Sequence, residues 1–277
     1  MDAVALTREL LAFDTISPPG TERACARRLA AILEQAGFTV AEHEFAEGRT
    51  SLVARLGGRA DAAPLCFTGH IDTVPLGGRP WTRDPFAGET ADGKLYGRGS
   101  SDMKSGVAAF VVAARRLASR LPGTPGLVLV ITAGEETGSL GAFHLAGHGG
   151  ALGRAGAIVV AEPTDNRPFV GHKGALWLHA RTRGVTAHGS MPERGVNAVY
   201  AAARAVLALE RFAFDVSHPV LGRPTLNVGT IAGGLNINSV PDAALIAVDI
   251  RTIPEQKHAA VTGALADHLG PDVTLTP

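Results

Sequence analysis

Cysteine is scarce. Cys25 and Cys66 are the only two, and they form neither a CxxC pair nor a disulfide-framework spacing. Cys66 lies in the apolar run Pro64-Leu65-Cys66-Phe67 and reads as a buried strand residue. An excess of charge of one sign is also missing. Lys+Arg and Asp+Glu are both 26, so no global field draws nucleic acid or an anionic membrane. Neither partner is expected. No apolar run approaches the ~18 residues of a membrane span. Residues 1–10 carry acids and no basic segment followed by an apolar one, so no signal peptide is expected and a cytoplasmic location is. Two catalytic signatures are absent as well. No Gly-x-Ser-x-Gly elbow occurs, and Gly97-Arg98-Gly99 lacks both the Gly-Lys-Ser/Thr ending and the GxGxxG spacing of phosphate loops.

What is present suffices for a globular enzyme. The 277 residues are 45% hydrophobic, enough for a sizeable core in one or two domains. Residues 2–14 and 21–36 read as helices, the second ended by Gly37. Residues 38–44, 51–56 and 65–68 read as strands, and Asp92-Gly93 as a hairpin turn between 86–88 and 94–96. A helix is expected over 103–121, and short continuous apolar strands over 127–132 and 157–161. Such runs alternating with helices predict an α/β fold, a mixed sheet flanked by helices. After Pro168 the rhythm changes. Strand 175–183, helix 196–212, strands 225–231 and 243–251, helix 255–269 and strand 273–276 give the β-α-β-β-α-β order of a ferredoxin-like domain. The expected domains are therefore 1–167 and 168–277, divided at the polar turn Asp165-Asn166-Arg167-Pro168.

Candidate metal ligands fall at strand ends. His70-Ile71-Asp72 follows one strand, and residues two apart in extended chain point to the same side. His70 is a candidate ligand with Asp72 orienting its ring. Asp102 precedes the next helix. Glu135-Glu136 and Glu162 follow two further strands. In open α/β sheets, ligands bind at the carboxyl ends of strands. One histidine with several carboxylates and no cysteine suits Zn²⁺, or Co²⁺ or Mn²⁺, in a hydrolytic site. Of two adjacent glutamates, one can ligate while the other shuttles a proton. Each residue taken alone has an ordinary structural explanation, with Asp102 as a helix cap and Glu135-Glu136 as a solvated loop. Their conjunction at strand ends favours the metal site.

Four stretches carry a resemblance. They are Gly69-His70-Ile71-Asp72-Thr73-Val74-Pro75, Tyr96-Gly97-Arg98-Gly99-Ser100-Ser101-Asp102-Met103-Lys104-Ser105-Gly106, Ala133-Gly134-Glu135-Glu136-Thr137-Gly138 and Ala161-Glu162-Pro163-Thr164. In these the chain resembles the co-catalytic zinc amidohydrolase and exopeptidase family, which spans acetylornithine deacetylase, succinyl-diaminopimelate desuccinylase, aminoacylase and glutamate carboxypeptidase. The resemblance implies two divalent ions, zinc first. His70 and Glu162 would hold one, Glu136 the other, and Asp102 would bridge them. Asp72 would orient His70, and Glu135 would be the general acid/base for attack by a metal-activated water. The implied substrate is a small N-acyl-L-amino acid cleaved at its amide. A dipeptide or a C-terminal peptide residue is the alternative within the family.

The second domain resembles that family's lid and dimerisation domain, which implies a homodimer. Gly184-Val185-Thr186-Ala187-His188-Gly189-Ser190-Met191-Pro192 is similar to its histidine loop, which makes His188 the candidate for stabilising the oxyanion. Asn238 and Arg251 match positions that grip the substrate carboxylate. For Arg251, a strand-end salt bridge is equally compatible. One departure stands out. The family's chain returns from the lid and supplies a final histidine to the second metal, whereas this sequence ends at Pro277. It is expected to be either a truncated piece of a longer enzyme or a degraded relative, with a second metal that lacks its imidazole. A non-catalytic dimer module that binds metal weakly is therefore a further alternative.

Overall fold

A computed structural model describes residues 2–59 and 61–277. The chain divides into two units, Met1–Arg167 and Pro168–Pro277. In the first unit, α1 (Ala3–Leu11) starts where Asp2 accepts the Ala5 N–H at 2.8 Å, and it buries Leu6, Leu10 and Leu11. α2 (Arg23–Gln35) buries Leu29, Ile32 and Leu33. It stops before Gly37, whose φ of +91° only glycine adopts readily. Five strands follow before the next helix: β1 (Thr39–Ala46), β2 (Arg49–Leu56), β3 (Leu65–His70) and the hairpin β4 (Glu89–Ala91)–β5 (Lys94–Tyr96). Asp92 and Gly93 at the hairpin tip both have positive φ, 51° and 71°. A two-residue turn of that kind needs its strands immediately beside it, so the first strand is 89–91 rather than the expected 86–88. α3 (Lys104–Leu117), β6 (Leu127–Thr132), α4 (Leu140–Gly147) and β7 (Ala157–Val160) complete the unit.

The five-stranded sheet has the order β1-β2-β6-β3-β7. β1, β2 and β6 pair antiparallel, while β6, β3 and β7 run parallel. The mixed sheet is therefore present, and it explains the burial of β6, whose six residues are all buried. One face packs on Leu6, Leu10, Leu29, Leu33, Val107 and Val111 of the first three helices. The other packs Val53, Cys66, Val128 and Val130 on Leu145 of α4. The periodicity of the sequence gives no warning of α4. Its segment contains Gly141 and Gly147, which are poor helix formers, so tertiary packing carries it.

The second unit runs β8 (Gly174–Arg183), α5 (Ala198–Arg211), β9 (Thr225–Gly233), β10 (Ala243–Thr252), α6 (His258–Leu269) and β11 (Val273–Thr276). The four strands form an antiparallel sheet in the order β11-β8-β10-β9. This is the β-α-β-β-α-β ferredoxin-like arrangement. β8 alternates, with Leu176, Leu178 and Ala180 turned to the core beneath Ala202, Leu209, Val261 and Leu265 of the two helices. No described helix is long and apolar enough to cross a membrane.

Candidate metal centre

Because β3, β6 and β7 are parallel neighbours, their carboxyl ends lie side by side. His70 is the last residue of β3 and is 2% exposed. Its Nδ1 donates to the Asp72 carbonyl at 3.0 Å, which leaves Nε2 as the outward nitrogen. That Nε2 lies 3.1 Å from Asp102 Oδ1, 3.8 Å from Glu162 Oε1 and 4.0 Å from Glu135 Oε2. Asp102 does not cap α3. The cap position is Met103, without a side-chain bond, and the Asp102 carboxylate turns to His70 instead.

Asp72 is fully buried and braces two strands at once. Its Oδ1 accepts the Glu135 N–H at 3.1 Å, and its Oδ2 accepts the Glu136 N–H at 3.0 Å. Burial raises the Asp72 pKa, but the His70 bond, the His70 charge and these two N–H groups outweigh it and hold the carboxyl below its ordinary value. Burial pushes Glu136 the other way, to about 7, helped by the charges of Asp102, Glu135 and Asp72. Glu162 is raised by burial and by Asp102 and Glu135. His70 is driven down by burial, but its bonds to Asp102 and Asp72, and the charges of Asp72 and Glu162, push it up to about 11.

The surplus of negative charge calls for a cation, and the donor set suits a divalent metal. His70, Asp102 and Glu162 each offer one ligand atom, and these atoms lie within 4.8 Å of one another. Bonds of about 2.0–2.2 Å to one ion require separations up to roughly 4.4 Å, so a small inward shift closes the set. Among the described residues no other group of three meets that condition.

Two supporting residues carry no role in the sequence reading. Gly106, in the first turn of α3, lies so close to β7 that a Cβ there would stand 2.2 Å from the Ala161 carbonyl oxygen. That contact sets Glu162 against the helix that follows Asp102. Lys104 is buried, and its Nζ donates to the carbonyls of Leu10 at 3.0 Å and Phe13 at 2.8 Å, tying the end of α1 to the start of α3. A lysine in the first turn of an apolar helix opposes the helix dipole, and that is the signal the sequence offered.

In the second unit, His188 is exposed and its Nδ1 lies 2.8 Å from Ser190 Oγ. The Gly189 N–H donates to the Asn238 carbonyl at 2.8 Å, so the His188 and Asn238 loops lie together. Arg251 is elsewhere. Its Nε donates to Asp249 Oδ2 at 3.0 Å near the end of β10. The two loops lie near the other end of that strand, where Val240 N–H bonds Ala187 O and Gly184 N–H bonds Asp242 O. Eight residues of strand separate Ala243 from Arg251, about 26 Å at ~3.3 Å each. His258 and His268 lie on α6, bonded to Thr252 Oγ1 and the Ala208 carbonyl.

A mixed α/β sheet gathering one imidazole and several carboxylates at the ends of its parallel strands defines a metallohydrolase class. Comparison with known proteins narrows that class. Residues 170–273 match the peptidase dimerisation domain and residues 51–160 match peptidase family M28. A succinyl-diaminopimelate desuccinylase of Cereibacter sphaeroides is 35% identical over 271 residues, covering 95% of this chain and 70% of the relative. An acetylornithine deacetylase of Proteus mirabilis is 34% identical over 264 residues, covering 91% and 67%. Among solved structures, the M20 family metallo-carboxypeptidase Sso-CP2 from Sulfolobus solfataricus aligns with a TM-score of 0.74 at 19% identity, covering 99% of this chain and 78% of that one. Human carnosine dipeptidase 1 aligns with a TM-score of 0.69 at 17% identity, covering 99% and 76%. The chain belongs to the M20 family of metallopeptidases and amidohydrolases.

Proposed function

We propose that this protein hydrolyses the amide bond of a small N-acyl-L-amino acid, in the manner of a desuccinylase or deacetylase. The observation that carries the reading is the convergence of the His70 nitrogen with oxygens of Asp102 and Glu162 within 4.8 Å. A proton-moving glutamate, Glu135, stands 4.0 Å from the same nitrogen. The names of the 34–35% identical relatives support an acyl amino acid over a peptide.

His70, Asp102 and Glu162 would hold a divalent ion, zinc by the mixture of imidazole and carboxylate. Asp102 and Glu136 would offer a second position. The ion supplies Lewis-acid polarisation of the scissile carbonyl and of the attacking water. Asp72 fixes the His70 ring and anchors the Glu135–Glu136 turn, so both sides of the centre share one support. The Glu135 carboxylate takes the proton of the attacking water and delivers it to the leaving amine. His188 donates to the oxyanion, while Asn238 and Arg251 grip the substrate carboxylate.

The separation along β10 supports a dimer. One lid cannot present His188 and Arg251 to one small substrate, so His188 and Asn238 would serve the site of a second copy. A panel of N-succinyl and N-acetyl amino acids against dipeptides and peptides checks the substrate class. The highest kcat/KM is expected on an N-acyl amino acid. Preference for dipeptides would replace the reading with an exopeptidase, and no turnover of any substrate with saturating zinc would leave the dimer module.

A further inference from the structure

Three of the four histidines in the first unit stand together, away from the candidate metal centre. His144 is on α4 and His148, four residues on, is its C-cap, whose N–H donates to the His144 carbonyl at 3.1 Å and keeps it against the last turn. Residues at that spacing share a helix face, and the two ring centres are 4.0 Å apart. His43 comes from β1. It points, with Phe45, to the α4 side of that strand, because residues two apart share a face. The His43 ring is 6.4 Å from His148, and the Phe45 ring is 6.2 Å from His144.

The chemistry of the trio suits ligation. His148 Nδ1 lies 3.1 Å from the His144 carbonyl oxygen, and a carbonyl can only accept. That bond puts the proton on Nδ1 and leaves the Nε2 lone pair free, as second-sphere carbonyls do for metal-bound imidazoles. The charged group facing His43 is Arg55 rather than a carboxylate, so no anion favours the imidazolium. Burial first, then the His148, His144 and Arg55 charges, hold His43 below the usual imidazole range, neutral and able to donate its lone pair.

We propose that His43, His144 and His148 form a separate site for a divalent transition metal of the imidazole-binding class, Zn²⁺, Ni²⁺ or Cu²⁺. Three imidazoles on one ion have ring centres about 5 Å apart, and the two separations above lie on either side of that value. The ligand nitrogens of the trio do not all lie within 4.8 Å of one another, so binding would draw the His43 ring toward His148. The ion would clamp α4 to β1. α4 is in turn bonded to the catalytic turn, since the Leu140 N–H donates to Gly134 O at 2.9 Å and the Gly141 N–H to Ala133 O at 3.1 Å. Occupancy would therefore stiffen the segment that carries Glu135.

The experiment is a calorimetric titration of the metal-free protein with Ni²⁺ alone, beside His148→Ala and His70→Ala. His148 is exposed, so its replacement leaves the fold intact. Wild type is expected to take up one equivalent of Ni²⁺ that His148→Ala does not, with a rise in Tm seen only in wild type, and His70→Ala is expected to keep that equivalent. Equal uptake by wild type and His148→Ala would overturn the proposal. So would loss of the equivalent in His70→Ala alone, because the ion would then sit at the catalytic centre.

Discussion

Asp72 accepts the Glu136 backbone N–H at 3.0 Å, and through its other oxygen it accepts that of Glu135. Asp72, whose carboxylate lies 3.4 Å from His70 Nδ1, therefore also fixes the turn at the end of β6. Asp72→Asn turns an amide NH₂ toward one of those donors and leaves it unsatisfied in a buried place. The expected cost is about 1–3 kcal/mol of stability and a roughly 10–100-fold loss of activity or metal affinity. Denaturant unfolding and metal titration check both. An unchanged metal affinity would show that the bracing has no functional weight.

Gly106→Ala places a methyl against the Ala161 carbonyl. The packing strain is expected to cost about 1–3 kcal/mol. Helix α3 and the end of β7 must then separate, which draws Asp102 from Glu162. A roughly tenfold or larger fall in metal affinity follows, measured by competition with a chelator. Retention of wild-type affinity would show that the helix does not set the position of Glu162.

Glu22 is fully buried and paired with Arg49, whose Nε donates to its carboxylate at 2.8 Å. Arg49 also donates to the Pro19 carbonyl and Ser17 Oγ. Glu22→Ala leaves the guanidinium without its counter-charge, at an expected cost of about 3–5 kcal/mol. Urea unfolding is the check, and a change under about 1 kcal/mol would mean that water solvates Arg49.

His43 has a folded pKa below its ordinary 6.5. The unfolded state therefore takes up the proton first as pH falls. Its contribution is fully present above pH 6.5 and is lost on acidification through the range between the unfolded and folded values. His43→Gln is expected to show a smaller drop in urea midpoint between about pH 7.5 and about pH 5 than wild type does. An equal drop would remove His43 from the acid response.

Much of this architecture was legible because continuous apolar runs mark buried parallel strands. Leu127–Thr132 and Ala157–Val160 fell where the sequence placed strands, and so did the lid elements, whose alternation in β8 is plain. Spacing alone could not show that Asp102 turns to His70 rather than capping α3, because both fates suit an aspartate before a helix. α4 was hidden by its glycines and its weak periodicity. The histidine trio was hidden with it, since His43 and His148 are 105 residues apart in sequence and meet only through the packing of α4 on β1. The split between Arg251 and the His188–Asn238 loops likewise needed the strand pairing, since Asn238 is only 13 residues from Arg251 in sequence yet lies beside His188, 50 residues away.

In the proposed mechanism His70, Asp102 and Glu162 hold the ion while Glu135 only moves the proton. Metal content and turnover, measured side by side in Glu135→Gln, bear on it most directly. Metal content is expected to match wild type, with turnover lower by roughly 10²–10⁴-fold. Loss of metal in step with turnover would make Glu135 a ligand, and undiminished turnover would place the proton transfer on another group.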